Sequence, residues 1–161
     1  NRWLMGLFSD EDINKIEEVL ISAGKDKAYQ LEFLAGFRNG WEFMKSQKID
    51  LGTQVQGGIA RIPERLETLK TTRPFFVGKD IGTLIGMLHF HPVDLLKEEV
   101  VRALIHPIRA LFAEGKGMFS LYIRHLMWQW EKEVLRKLGK KELTGRQDAI
   151  FKQYRQALCL R

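Results

Sequence analysis

The chain has one cysteine in 161 residues, Cys159, so it has no second thiol for an intrachain bridge and the disulfide framework of small secreted domains is excluded. Cys159 lies between Leu158 and Leu160 near the end of the sequence, where an incidental thiol is expected rather than a nucleophile. No apolar run approaches the roughly 18 to 20 residues that cross a bilayer as a helix, because Lys79, Asp80, Arg124 and other charges interrupt each candidate. Catalytic and nucleotide signatures are missing too. There is no G-x-S-x-G elbow, no G-x-x-x-x-G-K-[ST] phosphate loop and no G-x-G-x-x-G turn. Residues 3–8 are too short for a signal-peptide core and run into Ser9-Asp10-Glu11-Asp12 with no small-residue cleavage pattern. The expectation is a soluble intracellular protein. The chain opens on Asn1, so an upstream targeting segment would lie outside this sequence.

What is present is ordinary globular material: 45% hydrophobic, 11% aromatic and 29% charged residues, enough for a single helical domain over 1–161 that buries its own core. No metal or cofactor is expected to be needed for stability. The charge is uneven. Up to residue 131 the acids balance the bases, whereas residues 132–161 hold nine Lys and Arg against three acids, which accounts for the whole net charge of +6. A basic end of this kind points to an acidic or polyanionic partner.

The punctuation along the chain is helical, and the fold class expected is all-α, a bundle of about seven helices. Ser9 and Asp12 approximate a capping box before a helix over 10–23, where Ile13, Ile16, Leu20 and Ala23 recur at three and four residues and Gly24 supplies the stop. The second helix spans 27–46. Leu34, Phe37, Trp41 and Met44 form its apolar stripe, with Ala28, Leu31 and Ala35 beside it, and Gly36 and Gly40 allow another backbone to approach closely. Residues 49–58 carry Gly52, Gly57 and Gly58 and read as a loop, followed by a third helix led by Pro63 and running to about 70. Residues 71–77 read as an extended connection, Asp80 as an N-cap, and Ile81, Leu84, Ile85 and Leu88 as a buried face ending near His89. Gly78, Gly82 and Gly86, spaced by four, again suggest tight packing. Pro92 leads a helix whose stripe is Leu96, Val100, Leu104, Ile108 and Leu111, with a kink or break at Pro107. Residues 118–138 form the most strongly patterned helix, stopped by Gly139, and Thr144 with Gln147 matches a capping box before the last one.

Two constellations could carry function. His89, His91 and Asp94 place two imidazoles and a carboxylate in a short span, the donor types that suit zinc or non-haem iron, but the two histidines converge only on an extended backbone and need His106 or His125 to complete a site. They are weak metal ligands by spacing, and they carry the reading of a metal-dependent enzyme. The other constellation is stronger. Arg124, Trp128, Lys132 and Arg136 recur every four residues and so share one strip of a helix, continued by Lys137, Lys140, Lys141 and Arg146. Trp130, two residues from Trp128, points elsewhere, into the core. These eight residues are the expected contact surface of a non-enzymatic binding or adaptor module of a larger assembly, whose partner is an acidic protein surface. Nucleic acid is the alternative partner, since Lys and Arg release counterions from phosphates and an exposed tryptophan stacks on bases. Homo-oligomerisation is a further expectation.

Overall fold

The computed structural model describes residues 10–46, 73–114 and 120–159, and among them every regular element is helical. Six α-helices follow in order: α1 (Asp10–Ser22), α2 (Lys27–Ser46), α3 (Pro74–Phe90), α4 (Glu98–Glu114), α5 (Ser120–Leu138) and α6 (Gly145–Cys159). A short 3-10 turn, Asp94–Leu96, precedes α4. The expected helix ending near 70 and the loop at 49–58 lie outside the described residues, among which there are six α-helices.

Local chemistry sets most of the ends. At the close of α1 the Gly24 N–H donates to the Ile21 carbonyl and the Lys25 N–H to the Leu20 carbonyl, with Gly24 at φ +78°. That is a Schellman motif, and a side chain on residue 24 would clash with the carbonyl preceding it in the left-handed region. The end of α5 repeats it. Gly139 (φ +67°) donates to Arg136 and Lys140 to Leu135. Asp26 caps α2 by accepting the Tyr29 N–H at 2.8 Å.

Four expectations are corrected. Residues 74–77 are helical, because Pro74 occupies the first helical position, where its missing N–H costs nothing, and Arg73 before it takes the extended conformation at φ −70°, ψ 148°. The chain does not enter a helix at Pro92. The His91 N–H caps α3 on the Met87 carbonyl, and α4 starts only at Glu98, whose carboxylate and that of Glu99 suit the positive end of the helix dipole. Leu31 and Ala35 are exposed, since α2 turns its glycine side toward α3 and leaves them on the far side. Helix α4 continues through Pro107 without a break, held by the burial of Val100, Val101, Leu104 and Ile108 along its stripe.

The α2–α3 pair is the closest contact in the fold. A Cβ built on Gly36 would overlap the Phe75 carbonyl, one on Gly40 the Lys79 carbonyl and the Thr83 N–H, one on Gly78 the Phe33 carbonyl and one on Gly82 the Phe37 carbonyl. Backbone therefore lies directly on backbone. The Thr83 hydroxyl, which borders this seam, donates to the Lys79 carbonyl at 2.7 Å within its own helix.

Helices α4, α5 and α6 form the other side of the core, and Trp130 joins the two. Its indole N–H donates to the Pro92 carbonyl at 2.8 Å, while its ring lies 4.9 Å from Phe151 and 5.4 Å, edge-on, from Tyr154. A cavity of about 20 Å³ next to Tyr154, lined by Leu84, Ile85, Leu104 and Leu158, has room for no more than a water-sized group. Tyr154 is itself 2% exposed, its hydroxyl has no hydrogen-bond partner among the described residues, and burial pushes its ionisation well above the ordinary tyrosine range. Removing an unsatisfied buried hydroxyl removes a desolvation penalty. Tyr154→Phe is therefore expected to leave stability unchanged or raise it by up to about 1 kcal/mol. A urea midpoint lower than wild type would show that the hydroxyl is satisfied in solution.

Candidate binding face

Helix α5 is two-faced because its apolar positions follow the helical period while cations fill the other side. Leu126, Met127, Trp130 and Val134 are buried. At 100° per residue, Arg124, Trp128, Lys132, His125, Arg136 and Gln129 fall in one outward arc, with Glu131 and Glu133 at its two edges. Trp128 stands in the middle of that arc and is 56% exposed, a large apolar ring left in solvent on a helix whose other tryptophan is 2% exposed.

The rings and cations of the arc touch one another. The Lys132 ammonium lies 4.3 Å from the Trp128 ring centroid, a cation–π contact across one turn, and the His125 ring is 6.2 Å away, tilted by 32°. Lys132 and His125 are thus the neighbours of the indole on the following and the preceding turn. His125 was not evident as part of the strip from four-residue spacing; its place three residues before Trp128 is the signal that could have found it.

The eight residues expected from sequence do not act as one surface. Arg124, Trp128 and Lys132 form the exposed strip. Arg136 follows it but is turned onto Glu133, to which it donates at 3.1 and 2.6 Å; the guanidinium holds that carboxyl below its ordinary value, and Glu133 in turn raises Arg136. Arg146 is directed across to α4, where it pairs with Glu98 and depresses its carboxyl, with Arg102 a weaker second partner. Lys140 donates to the Gln147 side chain at 2.9 Å, which diverts the expected capping residue of α6 to the turn before it. Lys137 and Lys141 are exposed and lie beyond the strip.

The histidine cluster resolves differently. His91 is the residue just after α3, with Nε2 3.3 Å from the Met44 carbonyl and Nδ1 3.7 Å from the Asp94 carboxylate, whose other oxygen meets Lys97 at 3.3 Å. The imidazole fastens the end of α2 to the turn after α3. His89 lies within α3, and His106 and His125 are exposed on α4 and α5. Among the described residues no group of three or more His, Cys, Asp or Glu is placed to hold a metal ion. None of the described helices is long and apolar enough to cross a membrane.

The chain matches no protein-family model, no curated protein and no solved structure. What it does must be read from its own surface. On that surface the α5 strip combines an exposed tryptophan with a cation one turn to either side of it.

Proposed function

We propose that this protein is a non-enzymatic binding module that docks an acidic segment of a partner protein on the Arg124–Trp128–Lys132 strip of α5. The observation that carries this reading is the 56% exposure of Trp128 between two cations. Tryptophan and arginine are the residues that most often dominate interface energetics.

The distribution of charge favours protein over nucleic acid. Tight phosphate binding draws on roughly 6 to 10 cations along a groove. Here Arg136 and Arg146 are engaged with Glu133 and Glu98, and Glu131 and Glu133 border the strip. A short, bordered patch around one ring suits a helix or turn with acids on either side of an apolar residue. A polynucleotide, with phosphates in a continuous row, would meet those bordering acids.

The test is fluorescence anisotropy with a labelled helical peptide carrying glutamates around one leucine, beside single-stranded DNA, RNA and duplex DNA, at low and physiological salt. Peptide binding is expected to weaken at least tenfold in Trp128→Ala, a loss of about 1.4 kcal/mol or more, with an unchanged circular dichroism spectrum. Arg124→Gln is expected to weaken it less and to flatten its salt dependence. Tighter binding of any nucleic acid, lost in the same variants, would transfer the strip to the polyanion reading. No binding of either class would end both.

A further inference from the structure

The acidic partner that the strip requires is present in this chain. Helix α1 carries Asp10, Glu11, Asp12, Glu17 and Glu18 against a single Lys15, whereas the basic excess lies wholly at the other end of the sequence. Its inward side is set by Ile16 and Leu20, both fully buried. At 100° per residue the outward side brings Glu17, Ile21 and Glu18 together, with Ile21 between the two carboxylates. Ile21 is 59% exposed, close to the 56% of Trp128.

The two faces are opposite in sign. On α5 the exposed ring has Arg124 one turn before it and Lys132 one turn after it; on α1 the exposed Ile21 has Glu17 and Glu18 one turn before it, one to either side, so α1 meets both cations when it lies across α5. Within one molecule α1 packs on α2, and among the described residues no ion pair joins α1 to α5. Among the described residues of α1, Lys15 is the one cation, and it lies on the far edge of the face that carries Glu17 and Glu18.

We propose that the partner is a second copy of this chain, with α1 of one molecule seated on the α5 strip of the next, Ile21 against Trp128 and Glu17 and Glu18 against Arg124 and Lys132. This rests on the acidic-protein reading of the strip and names its occupant. Every molecule offers one of each face, so the contacts either close reciprocally in a two-fold dimer or propagate head to tail, and the limiting mass tells the two apart.

Sedimentation velocity on the full chain, from about 5 to 200 µM at roughly 50 and 300 mM salt, tests it. At low salt the weight-average mass should at least double over that range, and the higher salt should return it toward the monomer. Glu17→Gln with Glu18→Gln should abolish growth, and so should Arg124→Gln with Lys132→Gln, both with native circular dichroism. An equimolar mixture of the two double variants retains one good acidic face and one good strip, so it should form a 1:1 pair that grows no further. A wild-type chain that stays monomeric, or a mixture that stays monomeric, overturns the proposal. If the strip still binds the acidic peptide in that case, the binding reading stands and the partner is another protein; if it does not, both fall together.

Discussion

Replacing Gly36 or Gly82 with alanine is expected to destabilise the fold by about 3 kcal/mol or more, at or beyond the top of the range usual for overpacked cores. Helix propensity alone argues the opposite sign, since alanine is favoured over glycine by about 1 kcal/mol inside a helix. Packing decides. The added methyl at either position would overlap a carbonyl of the facing helix, and backbone cannot swing aside as a side chain can. The helices would have to separate along the whole seam, exposing Phe33 and Phe37, which are now fully buried. Gly86→Ala is the internal control. Its nearest neighbours are Met44 Cβ at 3.0 Å and Cγ at 3.3 Å and the Trp41 Cα at 3.4 Å, which are tight but do not overlap the added methyl, so a shift of a few tenths of an ångström suffices and the net cost there should be about 1 kcal/mol. Urea midpoints ordered with Gly86→Ala well above the other two confirm a backbone seam; equal midpoints for all three would refute it.

Trp130→Ala should cost about 3 to 5 kcal/mol, the range for deleting a large buried aromatic. The indole fills the space between α5 and α6 against Phe151 and Tyr154 and also carries the bond to the Pro92 carbonyl, so it fastens the α3–α4 connection to the far side of the core. Trp130→Phe separates the two roles. It keeps most of the ring packing but leaves the buried Pro92 carbonyl unpaired, at a cost of about 1 to 3 kcal/mol. Since the folded Trp130→Phe protein still presents Trp128, its peptide affinity should match wild type well below its unfolding transition. Loss of affinity in that folded variant would mean that the binding face extends through the core contact.

The sequence revealed helix ends wherever the stop was chemical and local. Gly24 and Gly139 close their helices as the pattern implies, and α2 has the bounds expected of it. The entry to α3 was misread because Pro74 is compatible with both an extended segment and a first helical residue; only the close approach of Gly78 to Phe33 selects the second. Leu31 and Ala35 read as core because an apolar stripe does not tell which flank a neighbour covers, and the two glycines drew that neighbour to the opposite one. At the binding face, the division between Trp128 and Trp130 follows from their two-residue separation. The pairing of Arg136 with Glu133, three apart, was open to inspection. That of Arg146 with Glu98 was not, since they are 48 positions apart and only the packing of α6 on α4 brings them together.

The seam between α2 and α3 has a further property. Glycines recurring every fourth residue give it a period but almost no phase: sliding one helix by a turn would place Gly82 where Gly78 now lies and lose a single contact at one end. Side chains that interlock would forbid such a slip, but at Gly36, Gly78 and Gly82 backbone meets backbone, and only Thr83 beside Gly40 and Met44 beside Gly86 reach the glycines of the seam. The phase is set at the ends instead, by Arg73 reaching Glu32 at 3.1 Å where α3 begins and by Phe90 edge-on to Trp41 with His91 at the Met44 carbonyl where it finishes. The pair resembles a slide rule with a stop at either end, so small groups outside the contact, not the contact itself, determine which register the rest of the bundle is built on.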